Sequence, residues 1–329
     1  MRPTVSVIIP CYNLGEYLSS CLESISLQNC SRVEYIFVND GSTDETLEKL
    51  KFFCGGRQDC ILIDSENMGV SHARNLAINI ATGDYLYFLD GDDVLQANAM
   101  NEMVHLIDKR HPDIIIPQAI FLSDEGFKKL QNLDNKLYTP DELYSSFKSF
   151  PTMPQNVYRR DLINTYSIRL NETLKVGEIY EMTLRYLTVC QTVLIVDNCF
   201  FTYIIRSESV THKPKYETDE SVLRTLMEYY KHGQRFESYP SFHVTAFKIL
   251  MAFTYNKYIK LGIKEKRAQD VIRHVLNNNI AKICLHRVAC LRGVPLKERV
   301  LAIYTLLGGI NGFRPVSYTH LRAHETRSN

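Results

Sequence analysis

Short apolar runs alternate with helical patterns along much of the chain. TVSVII at 4–9, apolar at four of its six positions, predicts a buried strand. After it, Leu14, Tyr17 or Leu18, Cys21, Leu22 and Ile25 recur with a 3.6-residue period, which predicts a helix. EYIFV (34–38) predicts a second strand, and the helix after GSTDE should turn Thr46, Leu47, Leu50 and Phe53 or Cys54 inward. CILID (60–64) predicts a third strand, Val70, Ala73, Ala77 and Ile80 line the next helix, and YLYFL (85–89) predicts a fourth strand. A helix over 96–110 and a strand DIIIP (113–117) continue the repeat. Such an order predicts an α/β fold with a mostly parallel central sheet and helices on both faces.

Farther along, 121–150 predicts loops around a short helix after Pro140, and QNVYRRDLI (155–163) a passage from strand to helix. GEIYEMTLRYLTV (177–189) is strongly helical, and TVLIVDNCFFTYI (192–204) predicts two short strands. Beyond about residue 216 the pattern is helical, through VLRTLMEYY, AFKILMAFTYNKYI and the stretch around 268–285. The expected organisation is an α/β domain over 1–214 and a helical C-terminal region over 215–314. Residues 315–329, PVSYTHLRAHETRSN, have few apolar anchors and no period, and are read as a non-native or disordered tail.

Composition narrows the classes. Hydrophobic residues make up 45% and charged residues 23%, which suits a folded chain, and a net charge of +1 argues against a dedicated nucleic-acid binder. Nine cysteines, irregularly spaced and without a CxxC pair, argue against a disulfide framework or a structural zinc site. Most are expected to be small buried hydrophobes in a reducing compartment. MRPTVSVIIP reads as a strand, not a signal peptide. No apolar run approaches the ~20 residues needed to cross a bilayer, though a peripheral contact stays open.

The chemistry gathers at strand ends, where open parallel sheets collect their ligands. Asn39-Asp40, Asn67 and Asp90 all fall there. In YLYFLDGDD, Asp90 and Asp92 can turn oxygens toward one Mg2+ or Mn2+, Gly91 lets backbone approach a bulky ligand, and Asp93 can cap the element starting near Val94. In IPCYNLGEYL, Pro10 ends the strand, Tyr12 can stack on a base and Asn13 can hydrogen-bond locally. In NDGSTDET, Asp40 can accept from a base N–H, Ser42 or Thr43 starts the helix, and Asp44 is structural. Arg74 can hold a carboxylate of the acidic cluster or a phosphate, and His72 is scaffolding.

VSVIIPCYN, FVNDGSTDET, SENMGVSHARNLAINIATGDYLYFLDGDD and LKVGEIYEMTLRYL, in this order and spacing, closely resemble glycosyltransferase family 2 of the bacterial surface-polysaccharide type, whose fold is GT-A. The resemblance runs through residue 211 and makes 1–214 a GT-A-like catalytic domain. It implies a nucleotide-sugar donor, usually UDP-linked, and a divalent cation, Mg2+ or Mn2+. Tyr12 would lie against the base, Asp40 at its polar edge, and Asp90 and Asp92 at the metal. Pro10, Asn13, Gly91, Asn67 and Arg74 would shape the donor pocket. In YIIRSESVTH, Arg206 would steady the diphosphate and His212 approach the cation.

Family members usually carry Glu-Asp where this chain has Glu178-Ile179, and the Asp is their catalytic base. Isoleucine cannot accept a proton. Ile179, Met182 and Tyr186 share a helical face, which suits a core role. Glu178 is the preferred replacement base, beside a helix N-terminus that favours its charge, with Glu181 and Glu172 as other candidates. Arg159 and Arg160 are candidate contacts for an anionic or lipid-diphosphate acceptor. The expected reaction is inverting transfer to a saccharide or lipid-linked glycan at the cytoplasmic side of the envelope, peripheral to the membrane or in a glycan-assembly complex. The alternative is a catalytically impaired nucleotide-sugar-binding protein. A nucleotidyltransferase would need a glycine-rich early loop where CYNLGEYL stands.

Overall fold

Val5–Cys11 is the strand against which the rest of the sheet is ordered. The structure is a computed structural model that describes residues 3–123, 126–129, 135–147, 155–204, 218–260 and 273–294, with 299, 301–303 and 305. Its strands are β1 (Val5–Cys11), β2 (Val33–Asp40), β3 (Cys60–Ser65), β4 (Tyr85–Phe88), β5 (Val94–Leu95), β6 (Ile114–Ser123), β7 (Gly126–Lys129), β8 (Lys136–Tyr138), β9 (Val157–Arg159) and β10 (Val193–Ile204). The helices are α1 (Gly15–Ser26), α2 (Thr46–Cys54), α3 (Val70–Ile80), α4 (Ala99–Arg110), α5 (Pro140–Ser146), α6 (Arg160–Thr165), α7 (Glu178–Val189), α8 (Thr218–His232), α9 (Pro240–Lys260) and α10 (Asn279–Cys290). Contacts divide the chain into two units. The first holds Met1–Pro140, Pro151–Glu172 and Glu178–Arg206. The second holds Asp141–Phe150, Thr173–Gly177 and Ser207–Asn329.

In the first unit the strands run β3-β2-β1-β4-β9-β6-β10-β5, with β7 beside β6 and β8 beside β10. The β3-β2-β1-β4 half is parallel throughout, as expected, and β6 lies parallel to β10. Between those halves β9 enters antiparallel to both neighbours. Val157 and Tyr158 are fully buried there. A hydrophobic run reports burial and leaves strand direction open, which is why the pattern did not show this reversal.

Four local readings change. Pro10 does not end β1, which continues to Cys11 beside Asn39 of β2. Ile8 accepts from Leu89 N at 3.0 Å, so two residues on Pro10 also faces the β4 side, where that strand has stopped at Phe88 and no N–H is required. The segment 192–204 is one strand, bent by register shifts between Ile195 and Thr202 around the polar pair Asp197-Asn198. Within 121–150, α5 follows Pro140 as expected, but β6 runs on to Ser123 and β7 and β8 replace loop. In α3, Ala73 and Ala77 are buried as predicted, while Val70 and Ile80 are exposed and Ser71, Arg74 and Asn75 face inward. Of these, Arg74 and Asn75 hold contacts at the site below.

The amino-terminal edge of the parallel strands is held by a buried carboxylate. Glu34 on β2 accepts from Ser6 Oγ at 2.5 Å, Thr82 N at 2.7 Å, Thr82 Oγ1 at 3.0 Å and Gly83 N at 3.1 Å, so four donors satisfy it in place of water. Arg160 donates to the Gly83 and Thr82 carbonyls from outside. At the same edge Arg159 pairs with Asp113 at 2.7 Å and with Asp161 at 2.8 Å. The two arginines therefore hold the end of the sheet opposite Asp90, which corrects the expectation that they meet an acceptor.

In the second unit α10 packs on α8 and α9. Its aromatic core stacks Tyr144 on Phe236 at 4.2 Å and Tyr229 on Phe242 at 4.6 Å. Among the described residues, no helix is long and apolar enough to cross a membrane. Cys11, Cys21, Cys190 and Cys284 are buried thiols, and none of the nine cysteines is in a disulfide.

A methyl group at Gly83 would sit 2.7 Å from Ser6 N and 2.8 Å from the Val5 carbonyl carbon, which are backbone atoms unable to step aside. Gly83→Ala is expected to cost about 1–3 kcal/mol. Urea unfolding should give a lower midpoint with unchanged slope, and an unchanged midpoint would refute the packing described here.

Candidate functional site

The carboxyl ends of β1, β2, β3 and β4 carry four loops, and side chains join them in sequence. Asn13, with φ +48°, donates its backbone N–H to Ser42 Oγ at 3.0 Å, while its Oδ1 accepts from Thr43 N at 2.8 Å. Buried Thr46 accepts from Leu14 N and Gly15 N at 2.8 and 3.0 Å. The loops after β1 and β2 are thus one unit. α2 starts at Thr46, later than Ser42 or Thr43, and Asp44 Oδ1 accepts from Thr46 N at 3.0 Å. That places Asp44 in a structural role. Burial works against its ionisation, but hydrogen bonds from Thr46 outweigh it and hold the carboxyl below its usual range.

The loop after β3 is fastened to β2. Asn39 Nδ2 donates to Asp64 Oδ1 at 2.7 Å. Asp40, almost fully buried, accepts from Met68 N at 2.8 Å and Gly69 N at 2.9 Å, one bond to each oxygen. It therefore holds the turn leading into α3. Gly41, at φ +68°, lies under Asn67, whose backbone nitrogen would be 2.6 Å from any Cβ there. Asn67 itself is exposed on this rim, as is half of Tyr12.

The loop after β4 closes the ring. A Cβ at Gly91 would lie 2.5 Å from Leu14 Cδ1, 3.0 Å from Cys11 Sγ and 3.2 Å from the Pro10 carbonyl. The expectation that Gly91 makes room for ligand is corrected: its bare face makes room for the β1 loop. Cys11 beneath it has its thiol pushed up by burial, with Asp92 and Asp90 among the further causes. Asp93 caps no helix, because Val94 and Leu95 form β5. It is buried and accepts from Gln155 Nε2 at 3.1 Å and Ile204 N at 3.3 Å. Gln155, two residues before the three-residue β9, is a partner of Asp93 that the sequence pattern did not signal.

Arg74 stands at the centre. Its side chain is 5% exposed and reaches Asp90 Oδ1 through Nη2 at 2.7 Å and Glu178 Oε1 through Nη1 at 2.9 Å. Burial alone would lower the pKa of this guanidinium, but Asp90 and Glu178 outweigh it and the net shift is upward. Asp92 lies half-buried on the same turn, which is closed by Asp93 N donating to the Asp90 carbonyl at 2.9 Å. Glu178 opens α7, so the unpaired N–H groups of the first turn complement its charge.

The other two glutamates are engaged elsewhere. Glu172 accepts from Asn75 at 2.8 Å and faces His72 Nδ1 at 3.1 Å. The Asn75 bond does most to hold its carboxyl below the usual range, against burial and with help from His72. Glu181 is buried and paired to Arg185 at 2.5 Å. Ile179, Met182 and Tyr186 are all buried, so the isoleucine is a core residue. The structure thus brings Pro10, Tyr12, Asn13, Asp40, Asn67, Arg74, Asp90, Gly91, Asp92 and Glu178 to one edge of the sheet. Arg206 and His212 lie outside the described residues.

A chain with these strand-end loops has known relatives. Residues 6–169 match the family described as Glycosyl transferase family 2. The glycosyltransferase GlyA of Streptococcus pneumoniae is 29% identical over 219 residues, covering 63% of this chain and 31% of that protein. EpsJ of Bacillus subtilis, described as an uncharacterized glycosyltransferase, is 26% identical over 231 residues, covering 65% of this chain and 64% of its own length. The chain therefore spans less than two thirds of these relatives. In fold it is similar to residues 1–349 of S. aureus TarS, solved in complex with UDP-GlcNAc. The TM-score is 0.69 at 18% identity, over 97% of this chain and 92% of that one. A GT-A sheet with its acidic turn at the carboxyl edge and the matching sequence profile lead to one assignment: the chain belongs to glycosyl transferase family 2.

Proposed function

We propose that this chain transfers a sugar, with inversion, from a nucleotide-diphosphate donor to a hydroxyl of a saccharide or lipid-linked glycan. The donor is UDP-linked in this reading, and the product is a bacterial surface polysaccharide. The observation that carries it is the Arg74 bridge, which couples the acidic turn at Asp90 to Glu178 at the start of α7. Those are the two positions the reaction needs, one for the departing diphosphate and one for the attacking hydroxyl.

The residues fit a divalent cation. Asp90 and Asp92 present hard carboxylate oxygens, and Arg74 engages only Oδ1 of Asp90. When bound, Mg2+ or Mn2+ at this pair would neutralise charge on the leaving nucleotide diphosphate. Exposed Tyr12 offers a face to the base. Asp40, already satisfied by two amides, shapes the base pocket through the Met68-Gly69 turn. Glu178 takes the proton of the acceptor hydroxyl as that oxygen bonds to the anomeric carbon. The bond to the diphosphate breaks on the opposite face, its electron pair leaving with the diphosphate. The site of action is the cytoplasmic side of the envelope, peripheral to the membrane.

Glu178→Gln keeps the shape and the Arg74 contact and removes the base. Turnover with UDP-sugar and a panel of lipid-linked glycans is expected to fall about 10²–10⁴-fold while donor affinity, measured by calorimetry, is retained. Full turnover in that variant would exclude Glu178 from proton transfer. Donor binding by the unaltered chain with no turnover on any acceptor would instead favour a binding protein.

Asp92→Asn tests the cation. Titration of UDP-sugar should show Mn2+-stimulated binding in the unaltered chain and no stimulation in the variant. Equal stimulation in both would remove Asp92 from the metal site.

A further inference from the structure

Residues 271–297 contain no Asp or Glu, yet they carry Arg273, Lys282, Arg287, Arg292 and Lys297 with His274 and His286. Within the second unit, α10 buries Ala281, Cys284, Leu285, Val288 and Ala289 against its own core. The opposite face is left to solvent. There Lys282 and His286, and beside them Ile283 and Arg287, are spaced by four and form two adjacent rows. Arg292 extends the cationic surface past the end of the helix, and Ile283 stands among the charges with 47% of its surface exposed. Among the described residues, no ion pair neutralises Lys282, Arg287 or Arg292.

We propose that this face of α10 docks on an anionic lipid bilayer, the cations meeting headgroup phosphates while Ile283 enters the interfacial layer. A basic helical face with an apolar residue among its charges suits a bilayer surface. Nucleic acid would use the cations and leave Ile283 without a partner, and the chain as a whole carries only +1. The surface lies wholly in the second unit. It does not depend on the proposed transfer reaction and is testable without donor or acceptor.

The chain contains no tryptophan, so Ile283→Trp supplies a single reporter in the full-length protein. With phosphatidylglycerol vesicles its emission should shift to the blue and be quenched by lipids brominated near the headgroup, the effect weakening as salt rises. Phosphatidylcholine vesicles should produce neither change. Adding Lys282→Glu, Arg287→Glu and Arg292→Glu should weaken vesicle affinity at least about hundredfold, since each cation near an anionic surface is worth about fivefold. An unchanged circular dichroism spectrum and melting temperature would show that the reversals leave the fold alone, and single reversals, each expected to cost about fivefold or more, serve if the triple variant unfolds. Equal binding to both lipids, absence of quenching, or preferential binding to poly(U) would overturn the proposal.

Discussion

A guanidinium buried between two carboxylates is the constraint around which the first unit is arranged. Arg74 cannot be left unpaired at 5% exposure, because a charge removed from water must find compensating charge and hydrogen bonds. It finds them on Asp90 at 2.7 Å and Glu178 at 2.9 Å. Satisfying Arg74 therefore fixes where the end of β4 and the start of α7 stand relative to α3. The same geometry puts Asp90 and Glu178, the groups proposed for the two ends of the displacement, within one side chain's reach. Structural necessity and chemical placement coincide at this residue.

The rim around it is built from backbone groups held by short side chains. Asn13, Thr46, Asn39 and Asp40 fasten each strand-end loop to the next, and Gly41 and Gly91 allow those loops to touch without a Cβ between them. Several residues that would be assigned to ligand on chemistry alone spend part of their bonding capacity on this fastening. Asp40 is the clearest case. Such groups influence a ligand by holding the shape of its pocket, which is preorganisation and needs no direct contact.

Much of the first unit was legible because its strands are short, apolar and separated by helices whose periods are clean. The faces predicted for α1 and α2 are borne out at Leu18, Cys21, Leu22, Ile25, Thr46 and Leu50. Where reading failed, an identifiable competing effect won. Helix α3 was phased on Val70 and Ile80, but its buried face includes Arg74 and Asn75, whose partners pay their desolvation. The two short strands expected over 192–204 are one bent strand, because the sheet absorbs the register shift.

By itself the sequence determined the spacing of elements, the parallel half of the sheet and the position of Asp40, Asn67 and Asp90 at strand ends. These follow from local periodicity and from glycine and proline chemistry, which act over a few residues. Tertiary structure alone decided that Arg74 meets Glu178, 104 positions away, and that β9 runs against its neighbours. It also decided that Asp141–Phe150 and Thr173–Gly177 belong with the C-terminal helices. The physical reason is common to all three: periodicity records which face of an element is covered, whereas the identity of what covers it depends on partners distant in the chain.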